Sequence, residues 1–433
     1  MKEKMWHMVS ILVALAMLVA LLPGCGTRGP SGGAVKADVV QSDKSRLQAP
    51  SLDEAQVPQL VEGNTEFALD LYGLLFDARQ NLFYSPYSIS LALAMTYAGA
   101  KGDTEQQMAQ ALHFTLAQER LHAAFNALDQ ALASRGQEVE EDQRFRLNVA
   151  NALWGQQDYA FLAAFLDTLA QNYGAGMRLV DFQGAPEAAR QTINEWVEQQ
   201  TEDRIKDLLP AGSITPLTRL VLSNAIYFNA AWMHPFNEKA TEDGDFHLLD
   251  GKTVTVPMMR QSERFGYYAG DGYQAVELPY VGGEMSMVIL LPDAGTFDDF
   301  AKGLDAPQLA GIMEQLGSQQ VLLTMPKFEY ESGFELKKAL TSLGMVQPFS
   351  TEADFSGMTG RPELFIDDVY HKAFVAVDEE GTEAAAATAV VMQLTAAPAM
   401  PVEVTVDRPF VFLIRDIDTG AVLFLGHVVN PAA

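Results

Sequence analysis

Cysteine is almost absent from this 433-residue chain, Cys25 being the only one. No intramolecular disulfide can form, so a folded body must hold through packing and hydrogen bonds alone. Positive charge is also scarce: 29 Lys and Arg stand against 56 Asp and Glu, a net charge of −27. Phosphate binding needs clustered cations that release counterions, so a nucleic-acid partner is not expected. An anionic bilayer would repel such a surface, and membrane association would have to come from a covalent anchor. One apolar run, Val9 to Leu22 broken only by Ser10, is too short to span a bilayer comfortably.

The patterns of common catalytic sites are missing as well. There is no thiol nucleophile beyond position 25, no Gly-x-Ser-x-Gly elbow, no His-Glu-x-x-His pair and no phosphate-cradling Gly-Lys loop. Outside the first residues, His113, His122, His234, His247, His371 and His427 are scattered without metal-ligand spacing. The chain is therefore not expected to be an enzyme, and no cofactor or metal is called for.

What is present begins with an export signal. Lys2 and Lys4 precede the apolar run, which ends in Leu22-Pro23-Gly24-Cys25. That ending resembles a bacterial lipoprotein signal with Cys25 as the lipidated residue. The expected location is the cell envelope, anchored by lipid on the periplasmic face or the cell surface. Gly26 is not the acidic residue associated with inner-membrane retention. The dinucleotide-like spacing Gly24-Cys25-Gly26-Thr27-Arg28-Gly29 is set aside, because an export segment precedes it and Gly-, Pro- and Ser-rich sequence follows where a helix is required.

Residues 1–24 read as signal peptide, 25–57 as the lipidated Cys with a flexible tether poor in large apolar residues, and 58–433 as one mixed domain. The first third of that domain is expected to be mainly helical. Phe67, Leu71, Leu74 and Leu75 are helically spaced, and Thr104 with Gln107 resembles a capping box. A further helix is expected from Pro186 to Gln199. Strand patterns occupy Arg144–Trp154, Leu217–Trp232, Gln274–Leu278, Met285–Leu291, Val321–Phe328, Val369–Val377 and three segments after Val402. Continuous apolar runs such as Val288-Ile289-Leu290-Leu291 indicate strands covered on both faces. The class is α+β with one or more large sheets.

The segment from Glu379 to Ala397 stands out. Its alanines favour a helix. With period two, however, Thr382, Ala384, Ala386, Thr388, Val390, Met392 and Leu394 form one increasingly apolar face. A surface helix, a plain sheet strand and a strand able to slide between two others all fit this pattern. The last needs small residues and no proline, and none occurs before Pro398.

Four stretches carry a resemblance to the serpin family. They are Phe83-Tyr84-Ser85-Pro86 with Gly99-Ala100-Lys101-Gly102; Leu222-Ser223-Asn224-Ala225-Ile226-Tyr227-Phe228 with Trp232; His371-Lys372-Ala373 leading into Asp378-Glu379-Glu380-Gly381-Thr382; and Asp407-Arg408-Pro409-Phe410 with Phe424-Leu425-Gly426-His427. The resemblance covers about Leu60 to Pro431. It implies helices packed around a large central sheet plus smaller sheets, an exposed reactive loop, and a metastable fold. It also implies suicide-substrate inhibition of a serine protease, extending to cysteine proteases, in which the cut loop enters the central sheet. Gly381, Thr382, Glu383, Ala384, Ala385, Ala386 and Ala387 would form the loop hinge, and Thr395-Ala396 the attacked bond. Leu394-Thr395, Ala396-Ala397 and Met400 are the other candidates. Small uncharged residues around that bond point to an elastase-like or subtilisin-like target. Ser88, Asn224 and His371 match a hydrogen-bonded cluster under the opening sheet. Trp232, Lys327 and Glu379 match the region where insertion starts, with Lys327 and Glu379 as an ion pair. The implied molecule is a monomer whose partner is a protease. A non-inhibitory serpin acting as a binding module, and a hydrolase or surface-binding lipoprotein, are the competing classes.

Overall fold

The structure, a computed structural model, describes residues 37–136, 139, 146–382 and 400–433. All of them belong to one compact unit, Ala34–Ala433. Cys25, the hinge from Glu383 to Ala387 and the bond Thr395-Ala396 lie outside the described residues.

The helical first third forms α1 (Val57–Leu75), α2 (Pro86–Tyr97), α3 (Gly102–Ala111) and α4 (Gln118–Ala133). Later come α5 (Ala163–Tyr173), α6 (Pro186–Gln200), α7 (Phe297–Gly303), α8 (Ala306–Gln315), α9 (Lys337–Ser342) and α10 (Ser356–Thr359). The early strands are β1 (Asp38–Val40), β2 (Leu82–Tyr84), β3 (Arg146–Gln156), β4 (Met177–Val180) and β5 (Leu220–Ala231). The middle ones are β6 (Glu242–His247), β7 (Thr253–Gly270), β8 (Tyr273–Pro279), β9 (Met285–Pro292) and β10 (Gly317–Pro326). The last are β11 (Phe328–Glu335), β12 (Val369–Val377), β13 (Gly381–Thr382), β14 (Val402–Thr405), β15 (Phe410–Asp416) and β16 (Val422–Val428).

Two sheets result. One has the order β1-β4-β3-β5-β13-β12-β11, with β5 also pairing β12 directly. The other runs β14-β10-β7-β8-β9-β15-β16-β2, with β6 on β7. Ser85 caps α2 by accepting a hydrogen bond from the Ser88 amide, and Pro86 occupies the first turn, where its missing N–H is not needed. Every residue of α2 from Pro86 to Tyr97 is buried, the mark of a helix enclosed on all sides. The main core joins α1, α2 and α4 to both sheets, including Phe83, Phe228, Phe412 and Phe424. A second core packs Ile193 and Val197 of α6 on Trp154, Val221 and Ala225 of the seven-stranded sheet. The α+β class and the serpin-like layering are thus present.

Three expectations are corrected. Residues 321–328 are not one strand: β10 ends at Pro326 in the nine-stranded sheet, and β11 starts at Phe328 in the other. Thr104 and Gln107 make no capping box, since α3 starts at Gly102 with no side-chain cap. Thr104 Oγ1 instead accepts from the Asp354 amide, and Gln107 Oε1 accepts from the Val346 and Gln347 amides. Both residues bind a distant loop.

The third correction concerns the tether, because its described part is ordered. β1 adds an antiparallel strand to β4. Lys44 Nζ and Ser42 Oγ bond Asp167 of α5 at 2.7 and 2.6 Å. Arg46 reaches Asp129 and Asn126 of α4 at 2.7 and 2.8 Å, and the Leu47 amide donates to the Gln171 carbonyl. Low apolar content misleads here because polar anchors, not core residues, fix the segment. Arg46→Ala should lower unfolding free energy by about 1–2 kcal/mol, charge-assisted bonds being stronger than neutral ones. Urea denaturation checks this, and an unchanged midpoint would mean the segment adds nothing to stability.

Candidate functional site

The seven-stranded sheet contains a seam. β5 and β12 pair in parallel over Leu222–Tyr227 and Val369–Phe374. Above that stretch β13 lies between them, antiparallel to both, with Gly381 opposite Ala231, and Thr382 opposite Ala230 on one side and Val377 on the other. The offset between β5 and β12 is the same above and below the wedge: Asn224 faces His371, and six residues on, Ala230 and Val377 flank Thr382. The seam therefore widens without slipping register.

Its centre is polar and buried. Asn151, Asn224 and His371 sit on one rung of β3, β5 and β12. Asn224 Nδ2 donates to Ser88 Oγ at 2.7 Å and to Asn151 Oδ1 at 2.5 Å, while Ser88 Oγ donates to Asn151 Oδ1 at 3.1 Å. The Ser85 amide donates to His371 Nε2 at 3.1 Å, which makes Nε2 the acceptor and leaves the proton on Nδ1. His371 Nδ1 therefore donates to Asn224 Oδ1. Separating β5 from β12 must break that bond. The sequence reading grouped Ser88, Asn224 and His371, and the fold brings all three together; Ser85 and Asn151 were not assigned to this cluster.

At the mouth of the seam, Lys327 Nζ meets Glu379 at 2.6 Å, and Thr241 Oγ1 donates to the same carboxylate at 2.7 Å. Burial opposes ionisation of Glu379, yet the bonds from Lys327 and Thr241 prevail and hold its pKa below the usual value. Trp232 Nε1 donates to the Asp378 carbonyl at 3.0 Å, and the Trp232 and Phe236 amides donate to the carbonyls of Glu380 and Glu379. Trp232 and the Lys327–Glu379 pair thus hold the same short segment, residues 378–380. Asp378 was missed: its Oδ1 accepts from the amides of Glu380 and Gly381 and turns the chain back into the sheet. An Asp three residues before a Gly was the available signal. Gly381 is required by contact, because a Cβ there would lie 2.1 Å from the Ala230 carbonyl oxygen. Among the described residues, no group of three or more His, Cys, Asp or Glu is placed to hold a metal.

Two sheets, a seam wedged open at one end by Gly381 and Thr382, and a buried polar rung define a serpin, and comparison with known proteins agrees. The family model for serpin (serine protease inhibitor) matches residues 62–431. Human leukocyte elastase inhibitor is 41% identical over 388 residues, spanning 86% of this chain and all of that one. The native-state crystal structure of the thermophilic serpin tengpin superposes with a TM-score of 0.81 at 28% identity, covering 92% of this chain and all of that one. Human thyroxine-binding globulin gives 0.78 at 30% identity, over 87% of this chain and all of that one. The chain belongs to the serpin family.

Burial makes the fold acid-sensitive, at the seam through His371 and away from it through His122 in α4 and His427 in β16. It pushes His371 down to about 3, and His122 and His427 down to about 4. Since these folded-state values lie below the unfolded value, their stabilisation is complete above pH 6.5 and is lost as pH falls toward 3–4. Each should cost about 2 kcal/mol of stability at pH 5 relative to pH 7. His371→Gln, which can accept from Ser85 and donate to Asn224, should take up about one proton fewer on unfolding. Denaturation midpoints across pH 4.5–7.5 report this, and an unaltered pH slope would contradict it.

Proposed function

We propose that the protein is an inhibitor of serine proteases that acts as a suicide substrate. The observation that carries the reading is β13, seated in register between β5 and β12. Because β13 runs antiparallel to both, extending it replaces one parallel pair by two antiparallel ladders, which are slightly more stable per residue. Stepping six residues on from Thr382, and six back from Ala230 and Val377, puts position 388 on the rung of Asn224 and His371. Along that path Ala384, Ala386, Thr388 and Val390 would share the face of Thr382. Small residues pass the narrow mouth, and larger apolar ones follow. About a dozen inserted residues, at about 0.5–1.5 kcal/mol per ladder hydrogen bond, would release on the order of 10 kcal/mol. That equals the stability of an ordinary domain, enough to distort a protease still attached to the loop.

In this reading the protease attacks Thr395-Ala396. The elastase-like or subtilisin-like preference rests on the uncharged residues Leu394 to Ala397 and is supported by the likeness to leukocyte elastase inhibitor. The likeness to thyroxine-binding globulin supports a second reading, a non-inhibitory binding module. The alanine-rich hinge favours the first. Cys25 is proposed as the lipidated residue that holds a monomeric inhibitor on the cell envelope.

Incubating the domain with elastase- and subtilisin-type proteases should give a denaturant-resistant adduct and release a peptide beginning at Ala396. Clean cleavage with a protease that stays active would overturn inhibition. Labelled palmitate should enter the full chain in a bacterial host and be lost in Cys25→Ser; equal labelling of both would refute the anchor.

A further inference from the structure

Tyr280, the residue after β8, holds no place in the sites considered above, yet its hydroxyl lies 2.8 Å from Oγ1 of Thr382. Both side chains are buried. The tyrosine ring cannot follow the hinge, because it is fixed on three sides. It stacks on Trp232 at 4.6 Å with an interplanar angle of 9°, and Phe228 meets it edge-on at 5.2 Å. Its backbone bridges Trp232, while the Val281 amide donates to the Ala231 carbonyl at 2.9 Å, bolting this turn to the end of β5. Ala231 is also the residue opposite Gly381. The hydroxyl is therefore a fixed point at the seam's mouth, and the hinge binds to it.

We propose that Tyr280 is a positioning residue for loop insertion, its hydroxyl retaining Thr382 so that the first rung of the new strand stands before the loop is cut. The proposal rests on the inhibitor reading for its consequence, though not for the contact itself. A new strand is hardest to start, since its first rung orders the chain for few bonds, whereas each later residue extends an existing ladder. Thr382 already stands opposite Ala230 and Val377, the places it would hold in a longer strand. The contact thus sets how often the seam begins to fill, not how stable the filled sheet becomes.

That frequency matters because insertion competes with hydrolysis. The loop carbonyl is joined as an ester to the protease serine oxygen. Water attacking that carbonyl breaks its bond to the serine oxygen and leaves a carboxylate on the loop, one water proton going to the serine oxygen and the other to solvent. If the hinge leaves the seam, hydrolysis wins more often and the inhibitor is spent as substrate. A purely structural role for Tyr280 predicts instead a loss of overall stability with no selective change in this partition.

Four variants separate these cases: Tyr280→Phe, Thr382→Val, the double variant, and Thr382→Ser, which keeps a hydroxyl. Amide exchange over Gly381–Thr382 in the uncut protein should rise about 3- to 10-fold in the first two, the worth of one hydrogen bond. The double variant should be no worse than either single one, and Thr382→Ser should match wild type. With a protease that wild type traps, Tyr280→Phe should consume about 3- to 10-fold more inhibitor per protease trapped, while the rate of loop attack changes less than about 2-fold. Unchanged exchange in Tyr280→Phe, additive effects in the double variant, or equal behaviour of Thr382→Ser and Thr382→Val would each overturn the proposal. Failure of wild type to trap any protease would remove the inhibitor reading, and the exchange data would still decide whether Tyr280 holds the hinge.

Discussion

The parallel pairing of β5 with β12, tied at its middle by Asn224 and His371, is the constraint on which the rest of the molecule depends. It closes the sheet where β13 has not reached. Pairing β5 and β12 directly leaves no vacant edge at the seam, yet it accepts one ladder where an intervening strand would make two. On the proposed reading the fold is complete but not at its best pairing. What holds it there is local: one buried rung, fixed from below by Ser85 and Ser88 at the start of α2. The capped N-terminus of a wholly buried helix is a rigid platform, so the rung is held against the core and not only across the strands.

The mouth of the seam is built differently. There the chain reverses at Asp378, and Glu379 anchors the reversal through Lys327 and Thr241. Trp232 and Tyr280 line the opening with aromatic surface, and only glycine fits at 381. An ionised carboxylate fixed by a lysine and a hydroxyl leaves the turn little freedom, so Gly381 and Thr382 are set in the seam. In the proposed mechanism the two regions oppose each other: the mouth would present the strand, and the polar rung would bar it.

Much of this was legible in the sequence, for identifiable reasons. Strand patterning located β12 to the residue and β5 within three residues, because both are rich in apolar residues over their whole length. The polar residues of the rung were legible only through the family resemblance, since Asn224 and His371 are 147 positions apart and neither has a local partner. Tyr280 gave no signal, as a tyrosine ending an apolar strand is ordinary core. The ordering of residues 38–47 was illegible for the opposite reason: its partners Asp129 and Asp167 are surface carboxylates among 56 acidic residues. Composition reads burial well and pairing poorly.

We propose that the seam holds the intact fold short of its best pairing. Cutting the loop with a non-target protease and comparing urea unfolding of cut and intact protein tests it most directly. The account predicts that the cut protein unfolds at markedly higher urea, because a broken chain would then contribute a middle strand. An equal or lower midpoint after cleavage would contradict it.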